Sequence, residues 1–171
     1  MEQSGKSIRK NIYLFFLSFF YTGLISKKIP GTVGSFFAML IVYAIPKSSS
    51  LITFVSILLF IAGTILSDIY LIRYKYDENR DPSYIVIDEA CGIFLGAALV
   101  SYFGVLDNIS IFVNFLLFRF FDILKPFPIK QIEATLKNNN KTVGFGIMLD
   151  DVLAAIFSST LQVAGGVLWA K

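Results

Sequence analysis

Asp88-Glu89 and Asp150-Asp151 open two apolar stretches of the chain, and Asp122 lies between Arg119 and Lys125 at the end of a third. Carboxylates beside long apolar runs are costly to keep and commonly mark a functional site. Together Asp88, Glu89, Asp122, Asp150 and Asp151 would make an oxygen-only ligand set, which suits Mg2+ or Mn2+ rather than zinc. A hard divalent ion next to Arg119 and Lys125 is equipment for phosphoryl transfer, because it neutralises oxyanions and lowers the pKa of bound water. The absence of histidine excludes Ser-His-Asp triads, histidine nucleophiles and His-ligated zinc. Cys91 is the only cysteine, so no disulfide forms within the chain, and its apolar surroundings read as those of a packed thiol.

Each cluster also has a purely structural reading. Gly31-Thr32-Val33-Gly34-Ser35 precedes an apolar run, where helix-start amides and two hydroxyls can cradle a phosphate. Alternatively, Thr32 or Ser35 caps that helix. Asp88-Glu89 in a first turn can complement the helix dipole, and Gly92 and Gly96, four apart, offer a flat face for close helix packing. Arg119, Asp122 and Lys125 recur every third residue, within reach of one another on a helix surface. They read either as a structural ion pair with a snorkelling lysine or as phosphate ligands, Arg as a fork and Lys as a point charge. Adjacent Asp150 and Asp151 point roughly 100° apart on a helix, so one can face a metal while the other supports it. Ala154, Ala155, Ser158 and Ser159 continue a small face beyond them. Asp68 either joins the acidic group or pairs with Arg73.

These side chains need a scaffold, and the composition says which kind. Hydrophobic residues make up 56% of the 171 and charged residues only 16%, with mean hydropathy +0.71. Soluble domains run nearer about 45–50% apolar and about 25% charged. Apolar stretches fall at Val33–Ile45, Leu51–Ile72, Ala90–Leu106, Ile109–Leu124 and Ile147–Ala170. The prediction is an all-α, polytopic helical membrane protein, one domain over residues 1–171, with about four to five membrane-embedded helices. Ser83–Ile87 reads as an extended run, while Pro46–Ser50 and Asp107-Asn108 read as turns between helices. Ile12–Ile25 follows Lys6, Arg9 and Lys10 and is succeeded by Ser26-Lys27-Lys28 without a small-x-small cleavage site. It is expected to be a retained interfacial or re-entrant helix rather than a cleaved signal.

Charge orients this arrangement. With the N-terminus in the cytoplasm and about five spans, only Lys47 and Lys171 fall outside and every other Lys and Arg falls inside, as the positive-inside rule requires. The same topology brings Gly31–Ser35, Asp88-Glu89, Arg119–Lys125 and Asp150-Asp151 to one depth on the cytoplasmic face. The net charge of +3 is not gathered into a basic, aromatic-interleaved patch, so no nucleic-acid partner is expected.

The blocks Pro30-Gly31-Thr32-Val33-Gly34-Ser35, Asp81-Pro82 with Ile85-Val86-Ile87-Asp88-Glu89 and Gly92, Phe118–Ile129 with its Arg119-Phe120-Phe121-Asp122-Ile123-Leu124-Lys125-Pro126 core, and Gly144–Asp151 stand in this order. Together they resemble the phosphatidylglycerophosphatase A family over roughly residues 30 to 160, four linked blocks being far more specific than one. Ile87 stands where that family commonly has an aromatic residue. The resemblance implies a Mg2+-dependent integral enzyme of the bacterial cytoplasmic membrane, its active site facing the cytoplasm. Its phospholipid substrate would be phosphatidylglycerophosphate, hydrolysed at the terminal phosphomonoester to phosphatidylglycerol. It implies metal ligation by Asp88, Glu89, Asp150 and Asp151, one of them acting as general base. Phosphate would be bound by Arg119, Lys125 and the turn containing Gly31, Thr32, Gly34 and Ser35, with Asp122 orienting Arg119 or joining the metal. Two other classes compete: a CDP-alcohol phosphotransferase, whose spaced Asp-Gly and Ala-Arg pattern is absent, and a cation carrier, which would string its carboxylates along a path rather than at one face.

Overall fold

The computed structural model describes residues 2–74, 82–104, 106–137 and 143–169, and every regular element among them is helical. In chain order these are α1 (Glu2–Leu17), a short 3-10 turn (Thr22–Leu24), α2 (Pro30–Ala44), α3 (Ser49–Tyr74), α4 (Ile87–Tyr102), α5 (Asn108–Leu124), α6 (Ile129–Lys137) and α7 (Val143–Trp169). Asp81 and the segment 75–80 lie outside the described residues.

The bundle is organised around α4, which packs against α2, α3, α5 and α7. Most of its residues are buried, which suits a helix apolar on nearly every side. The close approach predicted from Gly92 and Gly96 is present. A Cβ on Gly92 would enter the Phe118 ring of α5, and one on Gly96 would collide with the Asn114 amide. Ala154, Ala155, Ser158 and Ser159 of α7 are buried as a small face, and the Cys91 thiol is buried near the Ser56 carbonyl, 3.5 Å away.

Outward-facing side chains are apolar instead of polar. Phe54, Ile57, Leu58, Ile61, Ile65 and Ile69 form an exposed ridge along α3, and Phe112, Leu116 and Phe120 do the same on α5. Water would not favour apolar patches of this extent, whereas lipid would. Two helices, Ser49–Tyr74 and the Val143–Gly166 part of α7, are long and apolar enough to cross a membrane. The helices α2, α4 and α5, with 15, 16 and 17 residues, are shorter than the roughly 20 residues a bilayer core asks for. Length and hydropathy together thus indicate membrane association with two spanning candidates.

Two local expectations change. Ile12–Ile25 is not one helix, because α1 ends at Leu17 and Phe19, Phe20 and Tyr21 follow with φ of 46°, 60° and 65°. This left-handed turn reverses the chain and buries Phe19. Ser83–Ile87 is not a strand; Ser83-Tyr84 form a turn and Ile87 already begins α4. The Val86 amide donates to the Leu17 carbonyl at 2.9 Å, tying the end of α1 to the start of α4.

The predicted turns are shorter than expected: Ser49 and Ser50 already belong to α3 and Asn108 to α5. Asp107 caps α5, its carboxylate accepting from the Ser110 amide at 2.7 Å while the Asp107 amide donates to the Ser110 hydroxyl at 2.7 Å. These bonds hold the exposed Asp107 carboxyl below the usual carboxylate range, so its support of the helix is present at neutral pH and fades on acidification.

Asp68 neither pairs with Arg73 nor enters the acidic group. Its Oδ1 accepts from the Gly144 amide at 2.7 Å, capping the first turn of α7 from the side of α3. That contact fixes the depth at which Asp150 and Asp151 arrive less than two turns later. Asp68→Ala is expected to lower stability by about 1–2 kcal/mol, the usual cost of losing a helix cap. Asp68→Asn, which keeps the acceptor oxygen, should unfold close to wild type in a thermal melt.

Candidate active site

The N-terminal turns of α2, α4 and α7 and the C-terminal turn of α5 meet at one end of the bundle around a cavity of about 410 Å3. Gly31, Thr32, Asp88, Glu89, Arg119, Asp122, Lys125, Asp150 and Asp151 all line it. Residues separated by up to 120 positions in sequence thus converge because α2, α4 and α7 enter the bundle from the same end that α5 leaves.

The acidic floor is buried. Asp88 is 8% exposed and Asp151 3%. One carboxylate oxygen each from Asp88, Glu89 and Asp151 lies within 4.8 Å of the others. Glu89 Oε2 and Asp151 Oδ2 have no hydrogen-bond partner among the described residues. Buried carboxylate oxygens left in this way cost several kcal/mol unless a cation compensates them. An all-oxygen, strongly anionic donor set of this kind fits a hard divalent cation.

Two cations stand among these acids. Arg119 Nη1 is 2.5 Å from Asp122 Oδ2, three residues along α5, and 3.7 Å from Glu89 Oε1. It also donates to the Ser35 hydroxyl at 3.4 Å. Lys125 donates to Asp150 Oδ2 at 2.6 Å. Asp150 therefore differs from its neighbour Asp151: it holds a lysine, while Asp151 joins Asp88 and Glu89. Lys125 sits just past the end of α5 with φ 42°. A left-handed lysine costs roughly 1 kcal/mol or more, and such strain gathers where position matters.

The Pro-Gly-Thr-Val-Gly-Ser turn divides into two parts. Pro30 is the first residue of α2 and no side chain caps that helix, so the first-turn amides of Gly31 and Thr32 are left for other partners beside the cavity. A Cβ on Gly31 would strike Glu89 Oε1 and come within 3.2 Å of Arg119 Nη1; glycine is what lets α2 begin so close to the site. Gly34 and Ser35 stand behind the wall. Gly34 abuts Val86, and the buried Ser35 hydroxyl donates to the Gly31 carbonyl at 2.8 Å. Neither Ser35 nor Thr32 acts as the cap that an alternative reading of the motif offered.

Lys28 and Ser83 also line the cavity and were not singled out from sequence. The Lys27-Lys28 pair, separated from Pro30 only by Ile29, is the available sequence signal.

The sequence model of the family described as Phosphatidylglycerophosphatase A matches residues 15–165. A Haemophilus influenzae phosphatidylglycerophosphatase A is 48% identical over 79 residues, covering 46% of this chain and 44% of that protein. A Bacteroides thetaiotaomicron protein with the provisional name phosphatidylinositol-3-phosphatase is 36% identical over 87 residues, 48% of each chain. The chain spans about half the length of the curated relatives it matches. No solved structure matches it. Since the family match runs from the end of α1 to beyond Asp151 and takes in every wall of the cavity, this chain belongs to the phosphatidylglycerophosphatase A family.

Proposed function

We propose that this chain is a Mg2+-dependent lipid phosphatase that hydrolyses the terminal phosphomonoester of phosphatidylglycerophosphate, yielding phosphatidylglycerol and inorganic phosphate. The observation that carries this reading is the convergence of Asp88, Glu89 and Asp151 within 4.8 Å in a cavity also lined by Arg119 and Lys125. Asp88, Glu89 and Asp151 are the residues that would hold the ion, with Asp150 beside them. Bound there, Mg2+ would supply charge neutralisation and a more acidic water.

The remaining steps belong to the chain's own groups. Arg119 and the open amides of Gly31 and Thr32 bind the phosphoryl oxygens. Asp122 keeps the Arg119 guanidinium aimed across the cavity, and Asp150 keeps the Lys125 ammonium beside the same oxygens. Water attacks phosphorus and gives its proton to a carboxylate of the cluster. The bond from phosphorus to the glycerol oxygen breaks, and that oxygen takes up the proton held by the carboxylate and leaves as the alcohol of phosphatidylglycerol. The apolar outer faces of α3 and α5 support a membrane location, and the distribution of Lys and Arg favours a cavity opening on the cytoplasmic side.

The Bacteroides relative favours a second reading, in which the phosphomonoester belongs to another anionic lipid. Purified protein in neutral detergent should release phosphate from phosphatidylglycerophosphate with Mg2+ and stop when the metal is chelated. Phosphatidylinositol 3-phosphate, assayed in parallel, separates the two lipids. No release from either with Mg2+ present would sink the phosphatase reading.

A further inference from the structure

Resting on the lipid phosphatase reading, we propose that Lys28 forms a second anion subsite, one that holds the phosphodiester linking the headgroup to the diacylglycerol. The cavity is lined by Lys28, Arg119 and Lys125, and these cations are not equivalent. Arg119 is held by Asp122 and Glu89, and Lys125 by Asp150. Lys28 has no carboxylate within ion-pair distance among the described residues.

Its position is also distinct. Lys28 is exposed and lies two residues before the first turn of α2, whereas Asp88 and Asp151 are buried. The cavity therefore runs from a carboxylate floor to a lysine at its rim. The backbone carrying Lys28 is fixed, since the amides of Lys28 and Ile29 both donate to the Ser26 hydroxyl at 3.3 Å. Ile29 and Pro30 line the same rim and give it an apolar surface next to the cation.

A lipid phosphomonoester entering this cavity presents two kinds of anion. Its terminal dianion goes to the depth where the carboxylates and Arg119 meet, and its phosphodiester monoanion trails toward the acyl chains and the rim. A lysine without a carboxylate partner is suited to the second, because no protein charge competes for it. The product phosphatidylglycerol retains that phosphodiester and lacks the monoester, whereas inorganic phosphate is the reverse. Lys28 should therefore discriminate between the two products as inhibitors.

The test compares Lys28→Gln with Lys27→Gln in the wild-type background, in neutral detergent. Lys27 is exposed and does not line the cavity, so it controls for the same charge change at the adjacent position. For Lys28→Gln, KM for phosphatidylglycerophosphate and Ki for phosphatidylglycerol should each rise about tenfold, the size of one lost charge-assisted contact. Its kcat and its Ki for inorganic phosphate should stay within about twofold, and Lys28→Arg should restore KM. An equal rise in Lys27→Gln, or a parallel rise in the phosphate Ki, would overturn the subsite and leave the phosphatase reading standing. A wild-type protein that released no phosphate would instead remove the reading on which the subsite depends.

Discussion

Asp151→Asn is expected to abolish lipid phosphatase activity, lowering kcat by about 10^3-fold or more, while leaving the fold intact or slightly firmer. The first half follows from ligand chemistry. Asp151 is 3% exposed and supplies one of the three carboxylates that lie within 4.8 Å. Under the proposed mechanism, taking away one anionic ligand would weaken the hold on an ion whose charge stabilisation would supply several kcal/mol at the transition state, and each 1.36 kcal/mol is tenfold in rate. The second half follows from electrostatics. Asp88, Glu89, Asp122 and Asp150 crowd the same cavity, so a neutral amide at 151 relieves repulsion in the metal-free protein. Phosphate release with Mg2+ and a thermal melt in chelator should therefore move in opposite directions. Near-normal turnover with Mg2+ would remove Asp151 from the machinery.

Arg119→Ala should lose both properties together. Its guanidinium lies 2.5 Å from Asp122 and 3.7 Å from Glu89, and its side chain is 14% exposed. Removing one member of a buried ion pair leaves its partners uncompensated and costs about 3–5 kcal/mol. For a chain of this size that corresponds to a fall of about 10 °C in Tm. Activity should fall by about 10^3-fold if Arg119, which lines the cavity, binds the phosphoryl oxygens as proposed. Arg119→Lys separates the two effects: the charge is retained, so most of the melting temperature should return, but a lysine cannot make the forked contact, and turnover should stay about 10^2-fold down. A fully active Arg119→Lys enzyme would reduce Arg119 to a structural counter-ion.

What could be read from sequence was set by which signals are local. Carboxylates beside apolar runs are conspicuous in any window, and Asp88-Glu89, Asp122 and Asp150-Asp151 do meet at one cavity. Gly92 and Gly96 at a spacing of four gave the close contact of α4 with α5 for the same reason. The all-helical fold and the family followed as well. Partner choice was harder, because it depends on packing. Asp150 and Asp151 are neighbours, and only the docking of α5 against α7 gives Lys125 to the first and not to the second. Asp68 resembled a further acid of the site until the start of α7 was seen to land on it. Gly31-Thr32 and Gly34-Ser35 looked like one turn, but helical rotation sends the first pair to the cavity and the second to Val86 and Arg119. The chain reversal after Leu17 carries no glycine, proline or asparagine among Phe19, Phe20 and Tyr21, so nothing in that stretch announces it.

That reversal has a consequence for how the molecule opens. Three consecutive non-glycine residues in the left-handed region together cost roughly 3–6 kcal/mol, a cost that hydrogen bonds within the turn, from the Tyr21 amide to the Ser18 hydroxyl at 3.1 Å and from the Gly23 amide to the Ser18 carbonyl at 3.0 Å, help to offset. Docking adds to this: the Leu17 carbonyl takes the Val86 amide, and Gly23 fits so closely against the Tyr84 carbonyl and Val86 that a Cβ would not. If α1 lifts away, Val86 loses the hydrogen bond to Leu17 while keeping its contact with Gly34 of α2. The end of α1, the turn after it and the turn leading into α4 are therefore joined through Val86. Asp88 and Glu89 follow Val86 after one residue, so a helix that lines no part of the cavity is hydrogen-bonded to the chain just ahead of the acidic floor.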